Sequence, residues 1–165
     1  LLLGSCLLQP AWAADGIVAS ENAVQAAFLY NFALFTEWPA LAANQFNICV
    51  MASDPVLEAL QPFKAKQVRG SPVTVTQISS ASQVSLCQIL FVGHAEHASI
   101  KSLSRQIGQA PVLVVAEENS FDPRNVTITL VPHQGRIGFK INQTAAHASS
   151  LTISSKLLKL AQQVF

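Results

Sequence analysis

The sequence contains 165 residues, of which 50% are apolar and only 12% are charged, and its formal net charge is +1. This composition excludes an intrinsically disordered chain, and the lack of a Lys/Arg cluster argues against nucleic acid as a partner. A chain of this length is expected to form one domain that buries roughly 70% of its unfolded surface.

The first 13 residues are predicted to be a truncated signal peptide. They are mostly apolar and end in an Ala-Trp-Ala tripeptide, which predicts cleavage after Ala13 and export of a mature domain spanning residues 14–165. Two alternatives stay open for this segment. The residues up to Cys6 approximate a lipoprotein box, in which Cys6 would carry the lipid, and the apolar run would also suit a buried N-terminal helix.

The segment from Glu21 to Trp38 is predicted to form a single helix. Ser20 is its expected N-cap, no Gly or Pro interrupts it, and Pro39 ends it. Helical spacing places five residues in one stripe: Val24, Phe28, Asn31, Phe35 and Trp38. Because so few of its residues are polar, we expect this helix to be buried on more than one side. The amide of Asn31 would then bond to the C-terminal hairpin or to the same helix of a second copy.

Apolar strands and short helices are predicted to alternate along the rest of the chain. The strands are residues 46–52, 72–78, 87–93 and 111–117, and the helices are residues 54–63, capped by Ser53, and 94–108. A hairpin of residues 125–132 and 135–141 follows, and residues 142–165 close the chain as a helix. Strands rich in Val, Ile and Leu are typical of a parallel sheet that is covered on both faces. The predicted fold is therefore a single α/β domain: a central, mostly parallel sheet of about five to six strands, with helices on both faces and a C-terminal hairpin plus helix.

Two cysteines, Cys49 and Cys87, remain once the leader is removed. Each lies in a predicted core strand of an exported protein, so a disulfide bond between them is expected. The alternative is a pair of separate buried thiols that act as small apolar residues. No C-x-x-C motif is present in the sequence, so a redox function is not indicated.

Charged residues are distributed unevenly along the chain. Residues 1–63 contain five acidic residues and no Lys or Arg, whereas residues 124–165 contain five basic residues and no acid. One interpretation is that the first and last helices are neighbours that form surface ion pairs, and the other is that the basic half faces a partner. In the predicted strand 135–141, Arg136 and Lys140 alternate with apolar residues, so its charged side is a candidate partner surface.

The sequence contains no recognisable catalytic constellation. His94 and His97 at a predicted helix start would supply only two metal ligands, so solvated histidines are the expected alternative. Glu117 and Glu118 are adjacent on a strand, and their carboxylates should therefore diverge. We expect no enzyme, no cofactor and no metal, and favour a binding or regulatory module. The competing class is an enzyme or a solute-binding protein that uses the crevice beyond Gly93, where open α/β sheets bind ligands.

Three segments resemble the YfiR-like periplasmic proteins. Residues 23–39 end in the aromatic, Asn-containing Trp-Pro block of that family, residues 135–142 have the sequence GRIGFKIN, and residues 151–161 have the sequence LTISSKLLKLA. The spacing of Cys49 and Cys87 also resembles the disulfide of the family. Some members carry a second cysteine pair in the last third of the chain, which this sequence lacks, so redox control through that bridge is not expected.

The resemblance implies a periplasmic, non-catalytic repressor of an inner-membrane diguanylate cyclase. Such a repressor binds the periplasmic sensor domain of the cyclase, lowers cyclic-di-GMP signalling and is titrated by an outer-membrane OmpA-like lipoprotein. A second copy of the chain is a further expected partner. Aromatic anchors ringed by charge are typical of interaction hot spots. They define the expected partner surface: Asn31, Phe35, Glu37, Trp38, Arg136, Phe139, Lys140 and Lys156.

Overall fold

The structure is a computed structural model that describes residues 20–41, 44–93, 100–108, 110–118 and 123–165. Ten strands lie in these ranges: β1 (Thr36–Glu37), β2 (Phe46–Met51), β3 (Gln67–Val68), β4 (Ser71–Ile78), β5 (Ile89–Val92), β6 (Leu113–Glu117), β7 (Ile128–His133), β8 (Arg136–Ile141), β9 (Thr152–Ile153) and β10 (Gln163–Val164). Five α-helices accompany them: α1 (Glu21–Leu34), α2 (Val56–Leu60), α3 (Ile100–Ile107), α4 (Gln143–Ala148) and α5 (Ser155–Leu158). Short 3₁₀ helices occupy Gln61–Ala65, Ala81–Leu86 and Pro123–Asn125.

Eight of these strands form one mixed sheet in the order β10-β8-β7-β6-β5-β2-β4-β3. The five central strands from β4 to β7 are parallel, as their continuous runs of Val, Ile and Leu predict. The sheet is nevertheless larger than the predicted five to six strands, and it is mixed, because β3 pairs antiparallel with β4 and β8 pairs antiparallel with β7. The two edge strands, β3 and β10, contain only two residues each. Strands this short produce no alternating pattern that a sequence can reveal.

Each face of the sheet has its own apolar core. In β2, Ile48 and Val50 belong to the core on the α1 side, while Cys49 and Met51 belong to the core on the α3 side. Strands β5 and β6 alternate between the two cores in the same way. The uninterrupted apolar runs of the central strands therefore reflect burial on both sides of the sheet.

Helix α1 begins where predicted but ends at Leu34 instead of Trp38. Ser20 caps it, because its Oγ accepts a hydrogen bond from the Ala23 amide at 3.3 Å. After Phe35 the chain forms β1, which pairs antiparallel with β9 in a separate two-stranded ribbon. The buried face also differs from the predicted stripe and consists of Gln25, Ala26, Leu29, Phe32 and Ala33. A helix that is apolar nearly all round gives no periodicity that selects one face.

The prediction of one C-terminal helix over residues 142–165 is wrong. The segment forms α4, β9, α5 and β10 in succession. Asn142 and Ser154 cap the two short helices with their side-chain oxygens, and Ser150 adopts a positive φ of 56° between them. The β-branched residues of β9 then pair with β1, which suits them better than a helical conformation.

The remaining predicted elements are present with shifted bounds. The predicted helix 54–63 is α2 followed by a 3₁₀ helix. Its first turn is capped by the Asp54 carboxylate, which accepts from the Val56 amide at 2.9 Å, and not by Ser53. The hairpin of β7 and β8 forms as predicted. Of the predicted helix 94–108, the structure describes the part that is α3.

Several predictions concern residues outside the described ranges. These are the signal peptide with its alternative lipid site at Cys6, and the histidines His94 and His97. Within the ranges that are described, no helix is long and apolar enough to span a membrane.

Candidate functional site

A cleft of about 980 Å³ opens between the first two turns of α1 and the β7–β8 hairpin. It lies at the carboxyl ends of the parallel strands β6 and β7, the edge at which open α/β sheets bind ligands. Apolar side chains dominate its walls: Val24, Phe28, Leu130, Val131, Pro132 and Ile137. A ligand with an apolar body therefore suits this cleft better than a fully polar one.

Polar side chains also line the cleft. Gln25, which is only 3% exposed, donates from Nε2 to Glu117 Oε1 at 2.5 Å and so positions that carboxylate in the cleft wall. The neighbouring Glu118 bonds to Lys140 instead, with Oε1 and Nζ 3.5 Å apart, so the two adjacent carboxylates diverge as predicted. Arg136 is exposed at the hairpin end of the cleft. Among the described residues, no group of three or more His, Cys, Asp and Glu side chains could hold a metal ion.

The cleft lies away from the crevice that the sequence predicts at Gly93. Gly93 is buried at the end of β5, where a side chain would collide with the Asp54 carboxylate. Residues 94–99 lie outside the described ranges. The cleft instead forms at Glu117, one strand further along the sheet. The sequence shows that a carboxylate, Glu117, ends an apolar strand. It does not show that α1 crosses this edge of the sheet.

Cys49 and Cys87 are joined in a disulfide bond. Cys49 lies on β2 and Cys87 precedes β5, the neighbouring parallel strand, with their Cα atoms 5.7 Å apart. Both are buried in the core on the α3 side. A buried disulfide bond between two neighbouring strands stabilises the sheet.

The residues of the expected partner surface lie on several different elements of the fold. One group of its residues lies beside the β1–β9 ribbon, where the Ser154 amide donates to the Phe35 carbonyl at 2.9 Å. Glu37 pairs there with Arg69 at 3.6 Å rather than with a basic residue of the C-terminal helices. The Trp38 ring packs edge-on against Phe46, with ring centroids 5.0 Å apart. Lys156 is exposed on α5, two residues after Ser154.

A second group lies on β8. Arg136 and Lys140 alternate with Ile137 and Phe139, which belong to the core on the α1 side, so the two basic residues point to the other face. Phe139 is a correction to the expected surface, because it is only 4% exposed. Its ring contacts Phe28 and Phe32, with centroid distances of 5.6 and 5.1 Å. The apolar side of β8 is therefore core.

Asn31 does not bond to the C-terminal hairpin within the described residues. Its Nδ2 donates to the Ala27 carbonyl of its own helix at 2.9 Å, and the residue is exposed. It lies opposite the buried side of α1, together with Ala23, Ala27 and the 41% exposed Leu34, and with Tyr30 at the edge. We call these five residues the outer face of α1.

An exposed apolar group at the C-terminal end of the chain was not predicted. Leu160, Val164 and Phe165 are 70%, 38% and 53% exposed, and β10 forms an edge of the main sheet. Lys156 and Lys159 are exposed on the same segment. We call these five residues the C-terminal surface. The sequence does not predict this exposure, because the same residues would also fit the apolar side of a helix.

Comparison with known proteins relates the chain to one family and to solved structures. A conserved domain protein from Vibrio cholerae O1 biovar El Tor strain N16961 matches with a TM-score of 0.58 at 15% identity, over 87% of this chain and 60% of that one. The ABC domain from Streptococcus pneumoniae, solved in complex with L-Trp, matches with a TM-score of 0.52 at 14% identity, over 88% of this chain and 60% of that one. At these identities the likeness shows the fold alone, and the chain spans 60% of the length of either structure. The sequence profile described as YfiR/HmsC-like matches residues 22–162.

Proposed function

This chain belongs to the YfiR/HmsC-like family, and we propose on that basis that it is a periplasmic regulator that represses an inner-membrane diguanylate cyclase. In this proposal the protein performs no catalysis. It binds the periplasmic sensor domain of the cyclase and lowers cyclic-di-GMP signalling, and an outer-membrane OmpA-like lipoprotein titrates it away. The family match over residues 22–162 is the observation that carries the proposal.

Export is part of the same proposal. A signal peptide of residues 1–13 would deliver a mature domain of residues 14–165 to the periplasm. Mass spectrometry of the exported protein should find its terminus at Ala14, whereas a lipid attached to Cys6 would be the contrary result. A homodimer also belongs to the proposal.

Repression of this kind makes and breaks no bond. The repressor must bind the inactive conformation of the cyclase more tightly than the active one, and the ratio of the two affinities sets the size of the shift. Moving the cyclase from about 1:99 to about 99:1 in favour of the inactive state requires a ratio of about 10⁴.

We assign cyclase binding to the C-terminal surface. Its exposed Leu160, Val164 and Phe165 supply apolar anchors, and Lys156 and Lys159 supply charge around them. Residues 123–165 contain no acid, so a partner with an acidic surface is the electrostatic complement. Ser154, two residues before Lys156, bonds to Phe35 next to the β1–β9 ribbon. We therefore place Phe35 and Glu37 at the border of this surface.

The test is binding of the mature chain to the periplasmic domain of a diguanylate cyclase encoded next to it. Lys156→Glu should weaken association about tenfold, because it reverses a charge beside the apolar anchors. Lys64→Glu is the matched control, since it makes the same charge change at an exposed residue before β3, the opposite edge of the sheet. Equal losses in both variants, or none in either, would show that the C-terminal surface is not the binding site.

The cleft favours a second candidate function, the binding of a small molecule with an apolar body. Its apolar walls and the positioned Glu117 carboxylate offer contacts to an apolar group and to a charged group of one ligand. L-Trp is a suitable probe, because the Streptococcus pneumoniae domain of similar fold was solved with it.

Isothermal titration calorimetry with L-Trp and with glycine separates the contributions to such binding. Glycine carries the same charged groups without the apolar body, so only L-Trp should bind. Val24→Lys, which places a charge in the cleft wall, should abolish the heat of binding, whereas Ala23→Lys on the outer side of α1 should retain it. No heat with L-Trp for the parent protein would remove this candidate.

A further inference from the structure

Two carboxylates line the cleft on either side of Gln25. Glu117 accepts a hydrogen bond from Gln25 Nε2, and Glu21 lies one helical turn before Gln25 on the same side of α1. Because Gln25 is only 3% exposed, this hydrogen bond holds the Glu117 carboxylate at a set position relative to α1. The end of the cleft between α1 and β6 is therefore acidic.

The basic residues near the cleft do not balance this acidic end. Arg136 lines the hairpin end of the cleft, but it alternates with Ile137, which packs against the core on the α1 side. Lys140 pairs with Glu118, with Nζ and Oε1 3.5 Å apart, so its charge is balanced by a different carboxylate. Both cations thus point away from the wall that carries Glu117.

The N-terminal end of α1 does not reverse this balance. The first turn of a helix carries a partial positive charge and attracts anions. Here Ser20 Oγ already accepts a hydrogen bond from the Ala23 amide at 3.3 Å, and the Glu21 carboxylate lies in the same turn. The side chains of the helix itself therefore supply the acceptor and the negative charge that an anionic ligand would bring.

We propose that the cleft selects a primary ammonium group attached to an aromatic or alkyl body, and that Glu117 receives the ammonium. This proposal rests on the second candidate function, the binding of a small molecule with an apolar body, and names the class of that molecule. A carboxylate has about four acceptor positions, so Glu117 can accept from Gln25 and from a ligand at once. A hydrogen bond between two charged groups is stronger than one between neutral groups.

The ring of Phe28 provides a second contact for the same ligand. Phe28 follows Gln25 by three residues, so it lies on the same side of α1, and it is half-buried in the cleft wall. It stacks on Phe32 and meets Phe139 edge-on, with ring centroids 5.6 Å apart in both pairs. These neighbours hold the ring in place beside the cleft. Aromatic rings and ammonium groups both interact favourably with such a ring.

Isothermal titration calorimetry with three indoles tests the ligand class. Tryptamine carries only the ammonium, indole-3-propionate carries only a carboxylate, and L-Trp carries both, while the indole body is the same. We expect tryptamine to bind most tightly and indole-3-propionate at least about tenfold more weakly, because only an ammonium can donate to Glu117. L-Trp should lie between the two.

Glu117→Gln separates the charge of this residue from its position. The Gln25 amide can still donate to the side-chain oxygen of a glutamine, so the cleft wall should keep its shape. The variant should bind tryptamine at least about tenfold more weakly than the parent, and indole-3-propionate no more weakly. Glu58→Gln is the matched control, since it makes the same change at an exposed residue of α2 that does not line the cleft. It should leave tryptamine binding unchanged.

The possible failures of this proposal and of the second candidate function are distinguishable. Indole-3-propionate that binds the parent as tightly as tryptamine, or unchanged tryptamine binding by the Glu117 variant, would overturn the ligand class while the cleft stays a ligand site. If none of the three indoles binds, the second candidate function fails, and this proposal fails with it. The thermal midpoint of the Glu117 variant should stay within a few degrees of the parent. Should that variant not fold, the comparison of tryptamine with indole-3-propionate on the parent protein decides.

Discussion

Asn47 illustrates how a buried amide is satisfied inside the core on the α3 side. Its Oδ1 accepts hydrogen bonds from Thr74 Oγ1 at 3.1 Å and from Thr76 Oγ1 at 2.8 Å. Its Nδ2 donates to the Leu86 carbonyl at 3.0 Å. One side chain thus joins β2 to β4 and to the 3₁₀ helix that precedes Cys87. A buried polar group with all its partners stabilises one specific packing of these elements.

We expect Asn47→Ala to lower the free energy of unfolding by about 1–3 kcal/mol, because it removes the acceptor of two threonine hydroxyls. Urea denaturation with the disulfide intact measures this loss. Gln61→Ala is the control, since the Gln61 amide also bonds to a backbone carbonyl, that of Leu57 at 2.9 Å, but in an exposed position. Its loss should stay below about 0.5 kcal/mol. Equal losses in both variants would contradict a special role for Asn47.

The disulfide bond gives a second prediction for single residues. Cys49 and Cys87 are 38 residues apart in the chain, and removing a bond that closes such a loop should cost about 2–5 kcal/mol of unfolding free energy. Cys49→Ser should therefore unfold at lower urea concentration, and reductant should shift the parent protein by a similar amount. Mass spectrometry of the alkylated, non-reduced protein should find neither cysteine modified. Two alkylated cysteines would show that the bond does not form in the periplasm.

At the scale of elements, we expect β10 to depend on Gly138 of β8. Gln162 packs over this glycine, so that a β-carbon at position 138 would collide with its side-chain amide. The Gln162 backbone amide donates to the Phe139 carbonyl at 2.9 Å, and β10 follows directly in parallel with β8. A side chain at position 138 would therefore have to move the Gln162 side chain away from β8.

Gly138→Val should displace Gln162 and loosen β10 while the rest of the sheet stays folded. Amide hydrogen exchange should become faster in β10 and stay unchanged in the central strands, because the substitution touches only the edge. The double variant with Gln162→Ala should recover the parent exchange rates, since it removes the side chain that collides. Unchanged exchange in the single variant would contradict the dependence of β10 on this glycine.

The features that the sequence predicted correctly are those that leave a local signal in it. The central strands have uninterrupted apolar runs, and the Ser20 cap has a local hydrogen bond, so both can be inferred without knowing the tertiary structure. The end of α1 and the whole segment after Ile141 depend on a distant pairing, that of Thr36 with Ile153. No local pattern predicts a two-residue strand, and the residues of β9 and α5 would also fit a helix.

The candidate sites were less predictable than the fold. The Cys49–Cys87 bond follows from strand placement and export, whereas the cleft requires knowledge of which helix crosses the ends of β6 and β7. Phe139 was expected at a surface because alternation along β8 shows that one side is apolar but not which side is covered. The position of α1 decides that question, and α1 has no dominant apolar stripe to indicate its own orientation.

For the whole molecule, the repressor proposal predicts a graded response in cells. Deletion of the protein should raise cyclic-di-GMP, because the cyclase then returns to its active conformation. Lys156→Glu should raise it with the protein still present at its normal level, whereas Cys49→Ser should raise it through loss of the protein by degradation. Immunoblots beside a cyclic-di-GMP reporter distinguish the two. Full repression by the Lys156 variant, or low levels of that variant, would contradict the assigned surface.

The ribbon of β1 and β9 also affects the order in which the protein can fold. In the export proposed above, the chain would reach the periplasm with its N-terminal end first, so α1 and β1 would arrive long before the strand that pairs with β1. Contacts between such distant segments form late, and apolar surface exposed in the meantime favours aggregation. During this time the apolar residues of α1 are exposed, because their final neighbours from β8 and the C-terminal helices are still absent. We therefore expect periplasmic chaperones that hold unfolded chains to raise the yield of folded protein. Their effect on the yield should exceed the effect of the protein's equilibrium stability.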